Sequence, residues 1–346
     1  MQKNSIRFYL VVGLTVLALA ACQTPTTAPI ATEAPGPSAQ PAVITAQNAA
    51  DLQAAYQTSE INMISDLVWS TDGSILVALS SSGAARYNGS DLEIIDTFTF
   101  DFPAAIYAAS PDGKTLAFSE DSYNIFLADA SQTRDALTIY SPEMVGMADF
   151  STDGSSLLTT SMDTIMVTLW DVNTGEVQAS LDSFETAAPV YSAHFGADGQ
   201  HIIWIARATV QLTDIATQLM GPVMSHEDFV VSTALAPNGS LLATAAAGTI
   251  DGEFLPAVFL WNADTSNLET TLTNPDAFNV VTFSPDSSLL AAASGSTLLF
   301  WDSTSFEQIA SIDTGSDNIA ELAFSPDGAS LASADLSGNI SLWQVP

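Results

Sequence analysis

Apolar residues in this chain come in short runs separated by polar turns, and the spacing of those turns is regular. The clearest unit runs Ile319-Ala320-Glu321-Leu322-Ala323-Phe324, then Ser325-Pro326-Asp327-Gly328, then a second apolar stretch from Ser330 to Ala334. After Gly338 a third follows, Asn339-Ile340-Ser341-Leu342-Trp343. Runs this short, bounded by Pro, Asp and Gly, predict β-strands joined by tight turns. The same turn recurs at Asp72-Gly73, Asp112-Gly113, Asp153-Gly154, Asp198-Gly199, Asn238-Gly239, Asp286-Ser287 and Asp327-Gly328. Successive turns lie 40, 41, 45, 40, 48 and 41 residues apart. A period near forty with strands around every turn predicts an all-β fold, a seven-bladed β-propeller of four-stranded antiparallel blades over residues 49–346.

The seventh repeat offers only three strands before Pro346. An open ring would leave a bare sheet edge and an uncovered blade face. The upstream segment Asp51-Leu52-Gln53-Ala54-Ala55-Tyr56 is therefore expected to supply the missing strand. Its residues 52–56 should pair antiparallel with residues 340–343.

Trp170-Asp171 and Trp301-Asp302 close the third strands of their repeats; Trp261-Asn262 and Trp343-Gln344 keep the tryptophan. Tyr87-Asn88, Thr213-Asp214 and Leu127-Ala128 are weaker echoes, and Asp171-Val172-Asn173-Thr174-Gly175 is a turn out of such a strand. These motifs resemble the WD-repeat family over residues 50–346. The resemblance implies a propeller that serves as a protein-interaction scaffold without catalysis. Family repeats often carry a Gly-His pair thirteen residues before the turn glycine, feeding a buried His–Ser/Thr–Asp–Trp network. Here only Ser225-His226 matches, with Thr244 and Trp261 as partners; the other repeats are expected to rely on apolar packing and small residues such as Leu290-Ala291-Ala292-Ala293.

The first residues follow a different logic. Lys3 and Arg7 precede an apolar run from Phe8 to Ala21, too short for a bilayer of ~30 Å and suited to a signal peptide. It ends Leu19-Ala20-Ala21-Cys22, which resembles a bacterial lipoprotein lipobox. That resemblance implies cleavage between Ala21 and Cys22, with diacylglyceryl and acyl (palmitate-type) chains on Cys22. Two or more chains anchor stably where one does not. Residues 1–21 are thus read as the signal peptide. The Thr-, Ala- and Pro-rich residues 22–48 are read as a disordered tether to an extracytoplasmic, membrane-anchored domain in the cell envelope.

Removing that leader would leave four basic residues (Arg86, Lys114, Arg134, Arg207) against 39 acidic ones, a formal charge of −35. Such a chain repels phosphate backbones and anionic lipid, so nucleic acid is excluded as a partner and membrane contact is assigned to the lipid alone. Of the three histidines, His194 and His226 are read as packed or hydrogen-bonded, and His201 as a surface residue. No histidine pair has metal-ligand spacing, and no nucleophile elbow or phosphate loop occurs, so no catalytic residue, cofactor or metal is assigned. The turn aspartates lack the calcium-loop pattern and are read as turn formers.

The segment entering each inner strand should rim one mouth of the channel. That places a candidate binding rim at Met63, Asp101, Phe102, Glu143, Met144, Glu227, Asp228, Phe229, Asp276, Phe278 and Asp317. Repeat five carries an insertion around Gly248 to Phe254. The reading is a monomeric interaction module with a protein partner. The alternatives are an extracytoplasmic propeller enzyme (a hydrolase or quinone-cofactor dehydrogenase) and a solute- or glycan-binding lipoprotein.

Overall fold

The computed structural model describes residues 40–346 apart from 82, 100–104, 130–136, 163, 165, 183–189 and 191. Cys22, Ala21, Asp101 and Phe102 lie outside the described residues. Seven antiparallel four-stranded sheets follow one another around a ring, as the turn period predicts. Blades 1 to 6 are each built from four consecutive strands, with inner strands beginning at Ile64, Ala105, Val145, Ser192, Ser232 and Val280. Blade 7 takes Ile319–Phe324, Leu331–Asp335 and Ile340–Gln344 from one end of the ring and Gln53–Thr58 from the other.

The closing strand is the predicted one, in antiparallel register. Gln53 faces Gln344, Ala54 faces Trp343 and Tyr56 faces Leu342, with a bulge between Ala54 and Tyr56. Pairing extends to Thr58 opposite Ile340, two residues past the expected span. Upstream of it the chain is already docked. Ala42 bridges Val345, and Ile44 N–H donates to Gly328 O at 2.9 Å. Ile44 is 1% exposed and, with Ala49 and Leu52, joins the apolar cluster between blades 6 and 7. Residues 42–48, placed in the tether by composition, therefore lie on the ring. The reason is local: Asn48 accepts Thr45 N–H (2.7 Å) and donates to Val43 O (2.9 Å), curling the strap so that Ile44 drops inward.

Burial explains why the ring holds. Seven apolar clusters fill the seven seams, one per blade junction, built mainly from Leu, Ala, Val, Ile and aromatic side chains. Leu290, Ala291, Ala292 and Ala293 are all 0% exposed, consistent with small residues fitting the narrow part of each wedge. A fully buried Leu contributes roughly 1.5–3 kcal/mol, so the seams dominate stability.

Each strand–turn–strand unit is fixed by its turn Asp, or by Asn238 in repeat five. Ser70 Oγ donates to Asp72 Oδ1 (2.7 Å), which also accepts Ser74 N–H (3.0 Å). Ser110–Asp112, Ser151–Asp153, Ser284–Asp286 and Ser325–Asp327 repeat the bond. Glycine follows at positive φ, as at Gly73 (70°). Repeat six uses Ser287 there instead, at φ 62°, and its Oγ accepts Asn238 N–H from the neighbouring turn at 3.0 Å. That inter-blade bond helps to offset a conformation costing about 1–2 kcal/mol.

Candidate binding face and central channel

Strand direction sorts the loops into two faces. Every inner strand ends at its Asp- or Asn-containing turn, so these turns share one face, here called the bottom. The segments entering the inner strands, and the hairpins between second and third strands, share the top. The predicted rim residues fall on the top with mixed fates. Met63 is 69% exposed at φ 55°. Phe229 is exposed, with the Arg207 guanidinium 5.5 Å from its ring centroid. Glu143 Oε2 accepts Thr164 Oγ1–H (2.7 Å), and Met144 O accepts Met162 N–H (2.8 Å). Glu227 Oε2 holds Thr249 through N–H (3.1 Å) and Oγ1–H (2.8 Å). Asp228 Oδ1 accepts Phe229 N–H (2.7 Å), Asp276 O accepts Asn274 Nδ2–H (3.2 Å), and Asp317 Oδ2 accepts Ser337 Oγ–H (2.9 Å).

Phe278 leaves the rim. It turns inward, 4% exposed, against Trp301 with centroids 6.1 Å apart, because blade 6 offers it an apolar seam. The top instead gains exposed residues that counting back from the turns did not reach: Tyr140, Met162, Val231, Phe254 and Leu336. Phe254 belongs to the repeat-five insertion, which is a lengthening of one hairpin. Leu241–Ile250 pairs with Glu253–Asn262 over ten residues, where most strands have six or fewer. Alternation of exposed apolar residues with Glu227, Asp228, Asp251 and Glu253 gives this part of the top an acidic border around an apolar patch.

The channel is lined by the inner strands and was not read from sequence. Asp66, Asp149 and Glu321 project from blades 1, 3 and 7, with His194 from blade 4. Channel water reaches part of their surface, yet protein surrounds them. Burial pushes Asp149 up to about 7, with the charge of Asp66 adding to the shift. Burial likewise raises Asp66 to about 6 and holds Glu321 well above the carboxylate range, Asp66 again adding. His194 is pulled down to about 4 by burial, and its Nε2 shares a hydrogen bond with Thr233 Oγ1 (2.9 Å). The described cations are engaged elsewhere: Arg86 with Asp96, Lys114 beside Asp112 (3.7 Å), Arg207 over Phe229.

These inner side chains also seal the wall. Asp149 Oδ2 accepts Phe195 N–H from the next blade at 2.8 Å, and Ser232 Oγ accepts Val281 N–H at 3.1 Å. They satisfy donors on the inner edge strand that no fifth strand pairs. Among the described residues no three His, Cys, Asp or Glu side chains gather as a metal site.

The tryptophan positions show how far the repeats have diverged. Trp261 Nε1–H donates to Thr244 Oγ1 (2.9 Å), which bonds His226 Nε2 (2.7 Å), the one histidine network expected. His226 Nδ1 is left without a partner. Trp170 donates to Thr159 and Trp343 to Ser333, each at 2.9 Å. In blade 2, register sets Ala128 rather than Leu127 opposite Leu116, the site that Trp170 occupies opposite Leu157. Blade 4 exchanges the pair: Thr213 sits opposite Ile202 in the tryptophan position, and Trp204 takes the hydroxyl position two residues on. In blade 1 Tyr87 takes the tryptophan place, its hydroxyl unpartnered and pushed to about 12 by burial and Glu60. His201 Nδ1 pairs with Asp198 Oδ2 at 2.5 Å beside its own turn.

Known proteins carry similar sequences. Residues 266–302 and 306–344 match the family model described as WD domain, G-beta repeat. Each matched stretch begins with the outer strand of one blade and carries the inner three of the next. The chain is 29% identical over 209 residues, 58% of its length, to periodic tryptophan protein 2 of Arabidopsis thaliana, of which this covers 22%. It is 23% identical over 235 residues, 68% of its length, to the serine-threonine kinase receptor-associated protein of Gallus gallus, and 26% identical to that of Mus musculus. The match covers 64% of each of those two proteins, just under two thirds. Seven four-stranded blades, two of whose repeats match that family model, make the chain similar to the WD-repeat propellers.

Proposed function

We propose that this chain is a non-catalytic interaction module whose top face binds a protein partner, and that it works outside the cytoplasmic membrane, held there by lipid on Cys22. The observation that carries the binding role is the apolar patch of blade 5 on the top: Phe229, Val231 and Phe254 stand exposed, with Met63, Tyr140 and Met162 exposed elsewhere on the same face, while the seams bury most other large apolar side chains. Exposed apolar groups rimmed by carboxylates suit a partner with basic and apolar side chains, steered by charge and held by burial.

The strap supports the anchored orientation. Val43 and Ile44 lie against Pro285, Asp286 and Pro326 to Gly328, which are bottom-face turns. A tether from Cys22 would reach the ring on that face, leaving the patch pointing away from the membrane. WD-repeat relatives such as the receptor-associated proteins bear names that speak of association rather than turnover.

Crosslinking the mature protein in its native envelope and identifying the captured protein tests the binding role. Phe229→Asp combined with Phe254→Asp should abolish capture without lowering Tm; unchanged capture by the double variant would reject the top face. Cys22→Ser should release the protein from membranes, and persistent association would reject the anchor.

A further inference from the structure

Blades 3 and 5 repeat one architecture, but two ring side chains of blade 5 are replaced by small hydroxyl residues in blade 3. In blade 5 the imidazole of His226 bonds Thr244 and stands edge-on to Phe259 and Trp261, ring centroids 5.3 and 5.2 Å away. Blade 3 keeps the surroundings. Thr159 receives Trp170 Nε1–H at 2.9 Å as Thr244 receives Trp261, and Trp170 faces Leu157 as Trp261 faces Leu242. Two positions differ. Thirteen residues before the turn glycine, where blade 5 has His226, blade 3 has Ser141. Two residues before the tryptophan, where blade 5 has Phe259, blade 3 has Thr168.

Losing an imidazole and a phenyl ring leaves a hole. A cavity of about 210 Å³ is lined there by Ser141, Glu143, Thr159, Thr160, Thr168 and Ser180 among others. Its walls are mostly hydroxyls, with one carboxylate. For scale, an engineered apolar cavity of about 150 Å³ takes up benzene. A polar cavity with room for a ring and several hydrogen-bonding walls fits a small heteroaromatic better than an apolar guest.

We propose that this pocket is a binding site for one imidazole-class ring, supplied by a small molecule or by a histidine side chain of a partner. Thr159 accepts the Trp170 indole and keeps its own hydroxyl proton to give to a bare ring nitrogen, as Thr244 is paired with His226. The second ring nitrogen finds an acceptor that blade 5 lacks. His226 Nδ1 is unpartnered, whereas Glu143 lines the blade 3 pocket, bound through Oε2 to Thr164 Oγ1 and with Oε1 remaining. The site combines an oriented donor and a carboxylate acceptor, with the Trp170 indole one hydrogen bond away through Thr159, and it does not depend on the top patch being a partner surface.

The test follows the Trp170 indole N–H cross-peak in the full mature chain, assigned by its loss in Trp170→Phe, during titration with imidazole. A saturable shift in the millimolar range is expected. Ser141→His should rebuild the blade 5 arrangement, abolish the shift and raise Tm by about 2 °C. Should Ser141→His fail to fold, Thr159→Val removes the hydroxyl and must also lose the response. Pyrrole, which lacks the bare nitrogen, should leave the peak in place. A Gly-His-Gly peptide that binds as imidazole does points to a partner histidine, and one that does not points to a free small molecule. Absence of a saturable shift, an undiminished shift in Ser141→His or Thr159→Val, or an equal response to pyrrole would overturn the site.

Discussion

Asp149 and Asp153 are four residues apart in blade 3 and behave in opposite ways. Asp153 sits in the bottom turn, where Ser151 and Ser155 donate to it, and its carboxyl is held below the usual range by those hydrogen bonds, the Ser155 amide first. Asp149 faces the channel, where burial raises it to about 7. Both accept a backbone N–H; what separates them is solvent on one side and protein on the other. The signs for stability follow. A carboxyl raised in the folded state binds more protons there than in the unfolded chain, so its contribution falls as pH rises from about 4 to 7 and the penalty is complete above 7. A depressed carboxyl contributes above the unfolded value and loses that contribution as pH falls through the folded one.

The largest expected break of this contrast is Asp149→Asn. It keeps an oxygen for Phe195 N–H and removes a charge, so it should stabilise the ring at pH 8 by about 2 kcal/mol, less than the full shift implies because channel water screens it. At pH 4 the gain should vanish; urea melts at both pH values check it, and equal effects at the two would refute the assignment. Asp66→Asn comes next. By removing the charge that adds to the shifts of Glu321 and Asp149, it should lower both of their titration midpoints and raise stability at pH 8 by about 1 kcal/mol, read by carboxyl-carbon NMR. Asp153→Ala should act the other way, destabilising by about 1 kcal/mol at pH 7 as the turn loses its acceptor. Ser151→Ala should cost a few tenths of a kcal/mol and bring the Asp153 midpoint upward. A midpoint that stays put would show that the Ser155 amide and hydroxyl depress it without Ser151.

The two regions also differ in how readily they were read. The turns were plain in the sequence because Pro, Asp and Gly mark them locally, and their period carried the blade number and the closing strand with it. The channel was hidden. Asp66, Asp149 and Glu321 come from blades 1, 3 and 7, and nothing short-range distinguishes them from solvated carboxylates; only closure of the ring brings them together. Position alone would have offered a hint, since Asp149 and His194 each precede their turn aspartate by four residues. The rim was half legible. Counting back from the turns located Met63 and Phe229, but it assumed equal geometry in every repeat and so misplaced Phe278, which found an apolar seam. Tyr140 and Met162 escaped because they lie on other segments of the same face. The Trp204 and Thr213 exchange shows the same limit: the packing needs one bulky and one hydroxyl side chain, and the sequence motif names only one order.

Gln57 and Ser341, hydrogen-bonded at 3.1 Å across the seventh blade, are 284 residues apart in the chain. During synthesis the closing strand leaves the ribosome first and its neighbour only after nearly all the intervening sheets have been made. Six wedges can form from local hairpins, but the last bond of the circle is long-range and must wait. Until then Gln53–Thr58 travels as an unpaired ribbon, the stretch where a chaperone or a second nascent copy would most profitably hold on.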